Sequence, residues 1–166
     1  MQDLSKYDHR RVLIKGKWDT NKEILVGPLM RDGVRGFHVY TALQPTDVTG
    51  KPLQQSVIVN RGWIADKFKN DKSHRTGEGD TIIEAMYREA PKKNYFTPEN
   101  SPSKGQWLFP DVEQMADWTG SRPILFEQVY EGGFSEANIM ASKGEPIGRA
   151  PEIELRNNHL EYIFTW

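Results

Sequence analysis

Short runs in which apolar and polar residues alternate recur along most of the chain, and they constrain its fold more than any other feature. Residues 12–18 alternate in this way, which is the pattern of a half-buried β-strand. Further strand-like runs, some alternating and some mainly apolar, lie at 24–27, 37–43, 57–64, 81–88, 123–130 and 152–156. The run at 57–64 is the most apolar, and it is predicted to be a central strand.

Only residues 111–119 have a helical pattern. Asp111 can cap the helix, Gln114 lies at its third position, and Gly120 can end it. The predicted buried stripe consists of Val112, Met115, Ala116 and Thr119. About seven strands and one short helix, without a strand–helix–strand rhythm, predict a mainly β, α+β fold with an antiparallel sheet that is curled or closed into a barrel.

Two long loops interrupt this pattern. Residues 90–110 carry four prolines interleaved with aromatic residues, and residues 131–151 are rich in glycine and small residues. Loops of this length inside a domain are typically functional or disordered. We expect the first loop to pack through its aromatic residues and the second to be mobile.

The composition fits one domain and excludes several functions. The 22 basic and 23 acidic residues nearly balance, so no strong field indicates nucleic acid or an anionic surface. The chain has no cysteine, which excludes disulfides, thiolate metal sites and covalent c-type haem attachment. The apolar runs are all shorter than the roughly 18 residues that a membrane-spanning helix needs.

No known catalytic motif occurs in the sequence. It lacks a phosphate-binding loop, a nucleophile elbow, a zinc-protease motif and a dinucleotide-binding glycine pattern. His159-Leu160-Glu161 has half of a deaminase zinc motif, but the cysteine half cannot exist here. We therefore predict no enzymatic activity, no catalytic residue and no conventional metal site.

The segment Asn60-Arg61-Gly62-Trp63 follows the predicted central strand. Gly62 permits a bulge or a close backbone approach. Arg61 offers a planar set of donors and Trp63 a large flat face, so the pair suits a carboxylate held against an apolar plate. The alternative is a structural strand end, in which Arg61 pairs with an acidic neighbour and Trp63 belongs to the core.

The last residues allow two structures. Asn158 can cap a helix with Glu161 three residues later, which would place His159, Tyr162, Ile163 and Trp166 on one face. Such an end, apolar and aromatic, is typical of a membrane anchor at the bilayer surface. The alternative is a last strand over 162–166 that closes the sheet. Spacing alone leaves both open.

Several motifs in this order resemble the Surfeit-locus-one family of cytochrome c oxidase assembly factors, including its fungal members. They are Arg11-Val12 with Gly16 and Trp18, Gly36-Phe37-x-Val39, Val59-Asn60-Arg61-Gly62-Trp63, Pro98-Glu99-Asn100-x-Pro102 with Trp107, and Arg156-Asn157-Asn158-His159-Leu160-x-Tyr162 before Thr165-Trp166. They are collinear across nearly the whole chain, so their combination is specific although no single motif is.

The resemblance implies an architecture and a location. Members of the family have one soluble domain between two transmembrane helices, placed on the intermembrane-space side of the mitochondrial inner membrane. Residues 1–166 then look like the soluble domain alone, without the flanking helices. This resemblance favours the helical interpretation of residues 158–166, so a C-terminal helical start is expected.

The resemblance also implies a role in maturation of the oxidase's largest subunit, which holds haem a. His159 is then a candidate axial haem ligand, with Tyr162 and Trp166 packing on the macrocycle and Arg61 and Arg156 as propionate partners. Alternatively, His159 is structural.

Two other functions stay open: a protein-only scaffold for the nascent subunit, or a small β-barrel module for oligonucleotides or sugars. The balanced charge weakens the last and indicates no nucleic-acid partner.

Overall fold

The computed structural model describes residues 10–71, 80–129, 140–141 and 143–148, and the backbone of 162–165. These residues form the α-helix α1 (Val112–Thr119) and six strands, and residues 140, 141 and 143 are also helical. The strands are β1 (Arg11–Arg31), β2 (Val34–Pro45), β3 (Val57–Ala65), β4 (Thr81–Arg88), β5 (Leu125–Gln128) and β6 (Tyr162–Thr165). Two short 3-10 helices, Asp66–Phe68 and Pro102–Lys104, lie between them.

Five of the strands close into a ring. β1 pairs with β2, β2 with β3, β3 with β5, β5 with β4, and β4 again with β1. The mainly β class is confirmed, but the purely antiparallel arrangement is wrong, because β3 and β5 run parallel. A parallel pair requires a long crossover connection, and the chain between β3 and β5 supplies one that contains β4 and α1.

The number of strands is smaller than predicted. The runs at 12–18 and 24–27 belong to one continuous strand, β1. Asp19 lies opposite Ala42 and Ile24 opposite Tyr40, so the extra residues of β1 bulge out without ending the pairing. The predicted strand at 152–156 lies outside the described residues.

The end of the chain corrects a second expectation. Residues 162–165 are not helical but form β6, which pairs in parallel with Arg11–Ile14 of β1. These β1 residues pair with β4 on their other edge, which leaves one row of backbone groups for another strand. The β-branched and aromatic side chains of Tyr-Ile-Phe-Thr favour that pairing. The strand alternative is therefore right for these four residues, and Asn158, His159 and Trp166 lie outside the described part.

Helix α1 forms where the sequence predicts it. The Asp111 carboxylate accepts a hydrogen bond from the Gln114 backbone N–H at 3.2 Å, and Gly120 ends the helix with φ of 74°. All four residues of the predicted stripe are buried. Among the described residues, no helix combines the length and apolarity needed to cross a membrane.

Two main clusters of buried side chains lie on opposite faces of the sheet. Each strand of the ring contributes to the first, the ring core, which contains Val12, Ile14, Leu43, Val57, Val59, Ile83 and Ala85 with Phe126 packed against them. The second cluster joins α1 and Trp107 to the outer face through Ile24, Val26, Tyr40, Ile58 and Leu125. Since α1 contributes only to the second, the helix covers the outside of the ring.

Candidate functional site

The segment predicted to carry a bulge contains one in the structure. On β3, Asn60 lies opposite Tyr40 and Gly62 lies opposite Val39, so Arg61 is the extra residue. Gly62 has φ of 124°, a conformation that L side chains rarely adopt. The bulge turns the Arg61 side chain out of the regular strand pattern.

A second segment crosses directly over the bulge. We call residues 143–148 the strap. Trp63 donates its backbone N–H to the Ile147 carbonyl at 3.0 Å, and Ile147 donates to the Trp63 carbonyl at 3.0 Å. A Cβ atom on Gly62 would lie 2.1 Å from the Ile147 carbonyl oxygen. The close backbone approach expected at Gly62 is therefore present, and any larger residue there would displace the strap.

Asn60 holds the bulge from below. Its side-chain oxygen accepts from the Gly62 backbone N–H at 3.0 Å, and its amide nitrogen lies 3.2 Å from Nδ1 of His38. Because the amide nitrogen can only donate, Nδ1 of His38 must accept, which requires a neutral imidazole with its proton on Nε2. Asn60 is buried, so this arrangement satisfies a polar side chain inside the domain.

Tyr40 adjoins this polar group from β2. Burial raises the pKa of the Tyr40 hydroxyl, the negative charge of Glu127 raises it further, and a hydrogen bond from Asn60 opposes both. Tyr40 therefore stays protonated throughout the physiological pH range.

Arg61 and Trp63 have different neighbours among the described contacts, and a shared carboxylate site stays a prediction. The Arg61 guanidinium lies 4.6 Å from the ring centroid of Trp18, a stacking contact between a cation and an aromatic face. Trp63 is buried against Ala65 and Ile147, and its indole N–H donates to the Leu29 carbonyl at 3.0 Å. The prediction that Trp63 belongs to the core is therefore right. Arg61 stacks on Trp18, a contact that the sequence did not predict.

The proline-rich loop is organised by Asn100. Its side-chain oxygen accepts from the backbone N–H groups of Leu108 and Phe109 at 2.6 and 2.9 Å. Its amide nitrogen donates to the Phe109 carbonyl and to the Gln114 side chain, both at 2.9 Å. Asn100 thus ties the loop to α1, a role that its position between Pro98 and Pro102 did not reveal.

The rest of this loop is positioned by packing. Pro102 begins the 3-10 helix, while Pro98 is exposed. Trp107 is buried in the outer cluster, and its carbonyl accepts from the Gly27 backbone N–H at 3.1 Å. The expected packing of the first long loop through its aromatic residues is confirmed at Trp107 but is wrong for Tyr95 and Phe96, which are exposed.

The residues predicted to bind haem are not brought together by the described part of the chain. Arg156, His159 and Trp166 lie outside it. The Tyr162 backbone pairs with Arg11 at the start of β1, whereas Arg61 contacts Trp18, further along the same strand. In an extended strand, the seven residue steps from Arg11 to Trp18 separate these two β1 residues, and so the two contacts, by at most about 23 Å.

Of the five residues predicted to bind haem, only Arg61 has a described side chain. Arg61 has the donor geometry that suits a propionate. Nδ1 of His38, the one histidine of the described part, lies 3.2 Å from the Asn60 amide. No group of three or more histidine, aspartate or glutamate side chains in that part is placed to hold a metal ion. The described arrangement therefore provides stacking, packing and hydrogen bonding.

These features define a β-ring domain with a strapped bulge on β3 and a capped helix outside the ring. The sequence model of the SURF1 family matches residues 1–166, and the chain belongs to this family. The resemblance deduced from the motifs is thus confirmed, while the expected fungal origin stays a prediction.

Individual relatives agree with the family match. The chain is 32% identical over 182 residues to Surfeit locus protein 1 of Homo sapiens, covering 99% of this chain and 56% of that protein. It is 30% identical over 180 residues to Surfeit locus protein 1 of Mus musculus, covering 99% and 55%. A SURF1-like protein of Caenorhabditis briggsae is 30% identical over 156 residues, covering 92% and 46%. The chain therefore spans about half the length of these curated relatives.

Proposed function

We propose that this chain is a non-catalytic assembly factor for cytochrome c oxidase that assists maturation of the largest, haem-a-bearing subunit. The observation that carries the proposal is the match of the SURF1 family to residues 1–166. Membership over the whole chain displaces the third possibility, a generic oligonucleotide- or sugar-binding module, and nucleic acid is not among the proposed partners.

The proposed location follows from the same family membership. The domain faces the intermembrane space, held at the mitochondrial inner membrane by flanking helices outside residues 1–166. Its proposed partners are the largest oxidase subunit and the assembly intermediates that contain it.

Haem a is a proposed ligand in this role. His159 would supply an imidazole to the iron, Tyr162 and Trp166 would pack on the macrocycle, and Arg61 and Arg156 would pair with the propionates. When bound, haem a would supply the redox-active iron that the oxidase subunit finally receives. The stacking of Arg61 on Trp18 at 4.6 Å supports one element of this site, a guanidinium held against an aromatic face.

A protein-only scaffold is the second candidate, and the packing of the family motifs favours it. Trp63 and Trp107 are buried, and Asn100 uses its amide to hold its own loop. Side chains that are buried or hydrogen-bonded within the domain stabilise its fold. A scaffold would shelter the nascent subunit by surface contacts and need no cofactor.

Co-isolation of newly made oxidase subunits tests the assembly role. Mitochondrial translation products are pulse-labelled in cells that express the whole protein with an affinity tag, and the tagged protein is recovered in mild detergent. We expect the labelled largest subunit to be enriched over other labelled membrane subunits. Equal recovery of all labelled subunits would contradict the proposal.

A haem titration separates the two candidates. The whole protein in lipid nanodiscs is titrated with haem a while the Soret absorbance is followed. Axial ligation predicts a saturable shift in the wild type that His159→Ala removes and His38→Ala leaves in place. A wild-type spectrum that haem does not shift would favour the scaffold.

A further inference from the structure

Two neighbouring aromatic side chains protrude from the proline-rich loop. Tyr95 is 94% exposed and Phe96 is 88% exposed. Their rings contact each other edge to face, with centroids 5.3 Å apart. Large aromatic side chains ordinarily bury most of their surface in a domain, so a fully exposed pair marks a contact surface.

The backbone beneath these rings is held in one shape. We call residues 94–97 the aromatic turn. The Thr97 backbone N–H donates to the Asn94 carbonyl at 3.1 Å, and the Asn94 side-chain oxygen accepts from the Phe96 backbone N–H at 2.8 Å. The Thr97 hydroxyl accepts from the Asn94 backbone N–H at 2.8 Å. The backbone of the turn is therefore already ordered, which lowers the entropic cost of presenting both rings.

The aromatic turn is also attached to the body of the domain. Lys93, directly before it, pairs with the Asp111 carboxylate at 2.8 Å, and Asp111 caps α1. The hydrogen bond to Asp111 raises the pKa of Lys93, so this ammonium stays charged. Lys92 is exposed next to it. Two lysines therefore precede the two rings in the chain, and one of them, Lys93, is paired with Asp111.

We propose that the aromatic turn docks on the surface of a phospholipid bilayer. A convex tip suits the disordered boundary between headgroups and acyl chains, where tyrosine and other amphipathic aromatic rings concentrate. The rings enter to the level of the acyl-chain carbonyls, and the ammonium group of Lys92 lies at the depth of the lipid phosphates, with which its charge is complementary. This proposal needs no haem and no oxidase partner, so it is independent of the proposed function.

Vesicle flotation of the 166-residue chain tests this docking. The probes are phosphatidylcholine vesicles with and without phosphatidylglycerol. We expect the chain to float with the anionic vesicles, and the double variant Tyr95→Ser/Phe96→Ser to reduce the partition coefficient roughly tenfold or more. Lys92→Gln should reduce binding to anionic vesicles and leave the weaker binding to pure phosphatidylcholine unchanged.

Val48→Ser is the matched control, because Val48 is 83% exposed but lies in the connection between β2 and β3. It should bind as the wild type does. Since all three replaced apolar side chains are exposed, unchanged circular dichroism and melting temperature are expected for both variants. No flotation of the wild type, or equal flotation of the wild type and the double variant, would overturn the proposal.

The depth of the contact is measured with brominated phospholipids. Phe96→Trp should gain tryptophan fluorescence that these lipids quench, whereas the additional fluorescence of Val48→Trp should not be quenched. A concentration-dependent dimer in sedimentation velocity that the double variant abolishes, without vesicle binding, would assign the rings to a second copy of the chain and overturn the proposal.

Discussion

The β3 bulge and the proline-rich loop each depend on one asparagine, but in different ways. Asn60 makes a hydrogen bond to Gly62 within its own segment and another to His38. The side chain of Asn100 makes four hydrogen bonds, two through its oxygen and two through its nitrogen, and they reach both the loop and α1. The bulge additionally requires that nothing project from Gly62 toward the strap. Hydrogen bonds hold both regions, but only the bulge also depends on a steric fit, the close approach of Gly62 to the strap.

This difference predicts how each region fails. A region held by several hydrogen bonds loses them when one side chain is removed, and water can replace some of them. A steric fit fails when an atom is added, because the two backbones cannot separate slightly without breaking their mutual hydrogen bonds. Additions should therefore damage the bulge and deletions should damage the loop.

The largest expected effect is that of Gly62→Glu. The new side chain would collide with Ile147, adopt an unfavourable φ of 124° and introduce a charge beneath the strap. Strain and an unpaired charge together predict a loss of at least about 3 kcal/mol of unfolding free energy. Urea denaturation followed by tryptophan fluorescence measures this loss.

Gly105→Glu is the matched control for that substitution. Gly105 also has a positive φ, of 69°, but a Cβ there would meet nothing within 4 Å. We expect a loss of about 1.5 kcal/mol from the left-handed conformation alone. If both variants lost the same stability, the steric fit between Gly62 and the strap would be disproved.

The next largest effect is expected for Asn100→Ala. It removes all four side-chain hydrogen bonds of Asn100 and should destabilise the domain by about 2 kcal/mol. Hydrogen exchange should show faster exchange of the Leu108 and Phe109 amides, with Gly62 and Trp63 unchanged. Faster exchange at the bulge as well would show that the two regions are coupled and would contradict their independent stabilisation.

Asp111→Ala should cost about 1 kcal/mol, the ordinary contribution of a helix cap. Burial acts to raise the pKa of Asp111, but the hydrogen bonds from Lys93 and the Gln114 backbone outweigh it, and the folded pKa lies below 3.8. Because the pKa of Asp111 is lower in the folded state, its stabilisation is complete above the ordinary pKa of 3.8. It is lost as the pH falls through the folded pKa. Asp111→Asn, which keeps a capping oxygen without the charge, should lose this acid dependence in thermal melts between pH 5 and pH 2.

The smallest effect at neutral pH is expected for Tyr40→Phe, about 1 kcal/mol or less. Its difference from the wild type should appear in base. Burial holds the proton on Tyr40 in the folded state, while an unfolded tyrosine releases it near its ordinary pKa of 10.0. The wild type should therefore lose stability as pH rises above about 10, and Tyr40→Phe should lose less. Parallel pH dependence of the two melting temperatures would contradict this role of Tyr40.

Features decided within a few residues could be predicted from the sequence. The cap, buried stripe and end of α1 lie within ten residues of one another, and a glycine inside a strand pattern indicated a bulge or a close backbone approach at position 62. The motifs also sufficed to recognise the family. In each of these cases, local spacing determines the structure.

Pairings between distant segments could not be predicted in this way. The strap reaches Trp63 from Ile147, and β6 adds to β1 from the opposite end of the chain. The capping-box spacing at Asn158 favoured a helix, whereas residues 162–165 pair with an edge of β1. The sequence alone does not show that this edge is available. The same holds for Arg61 and Trp18, which meet because β1 and β3 belong to one closed ring.

Replacement in cells that lack their own family member tests the proposed role of this chain in oxidase maturation. The measurement is the a-type haem absorbance of their mitochondrial membranes at equal protein content. Expression of the whole protein should restore the absorbance, and Gly62→Glu should restore much less than Gly105→Glu. If the wild type, produced at normal abundance, left the absorbance at the level of the deletion strain, the proposed role would be wrong.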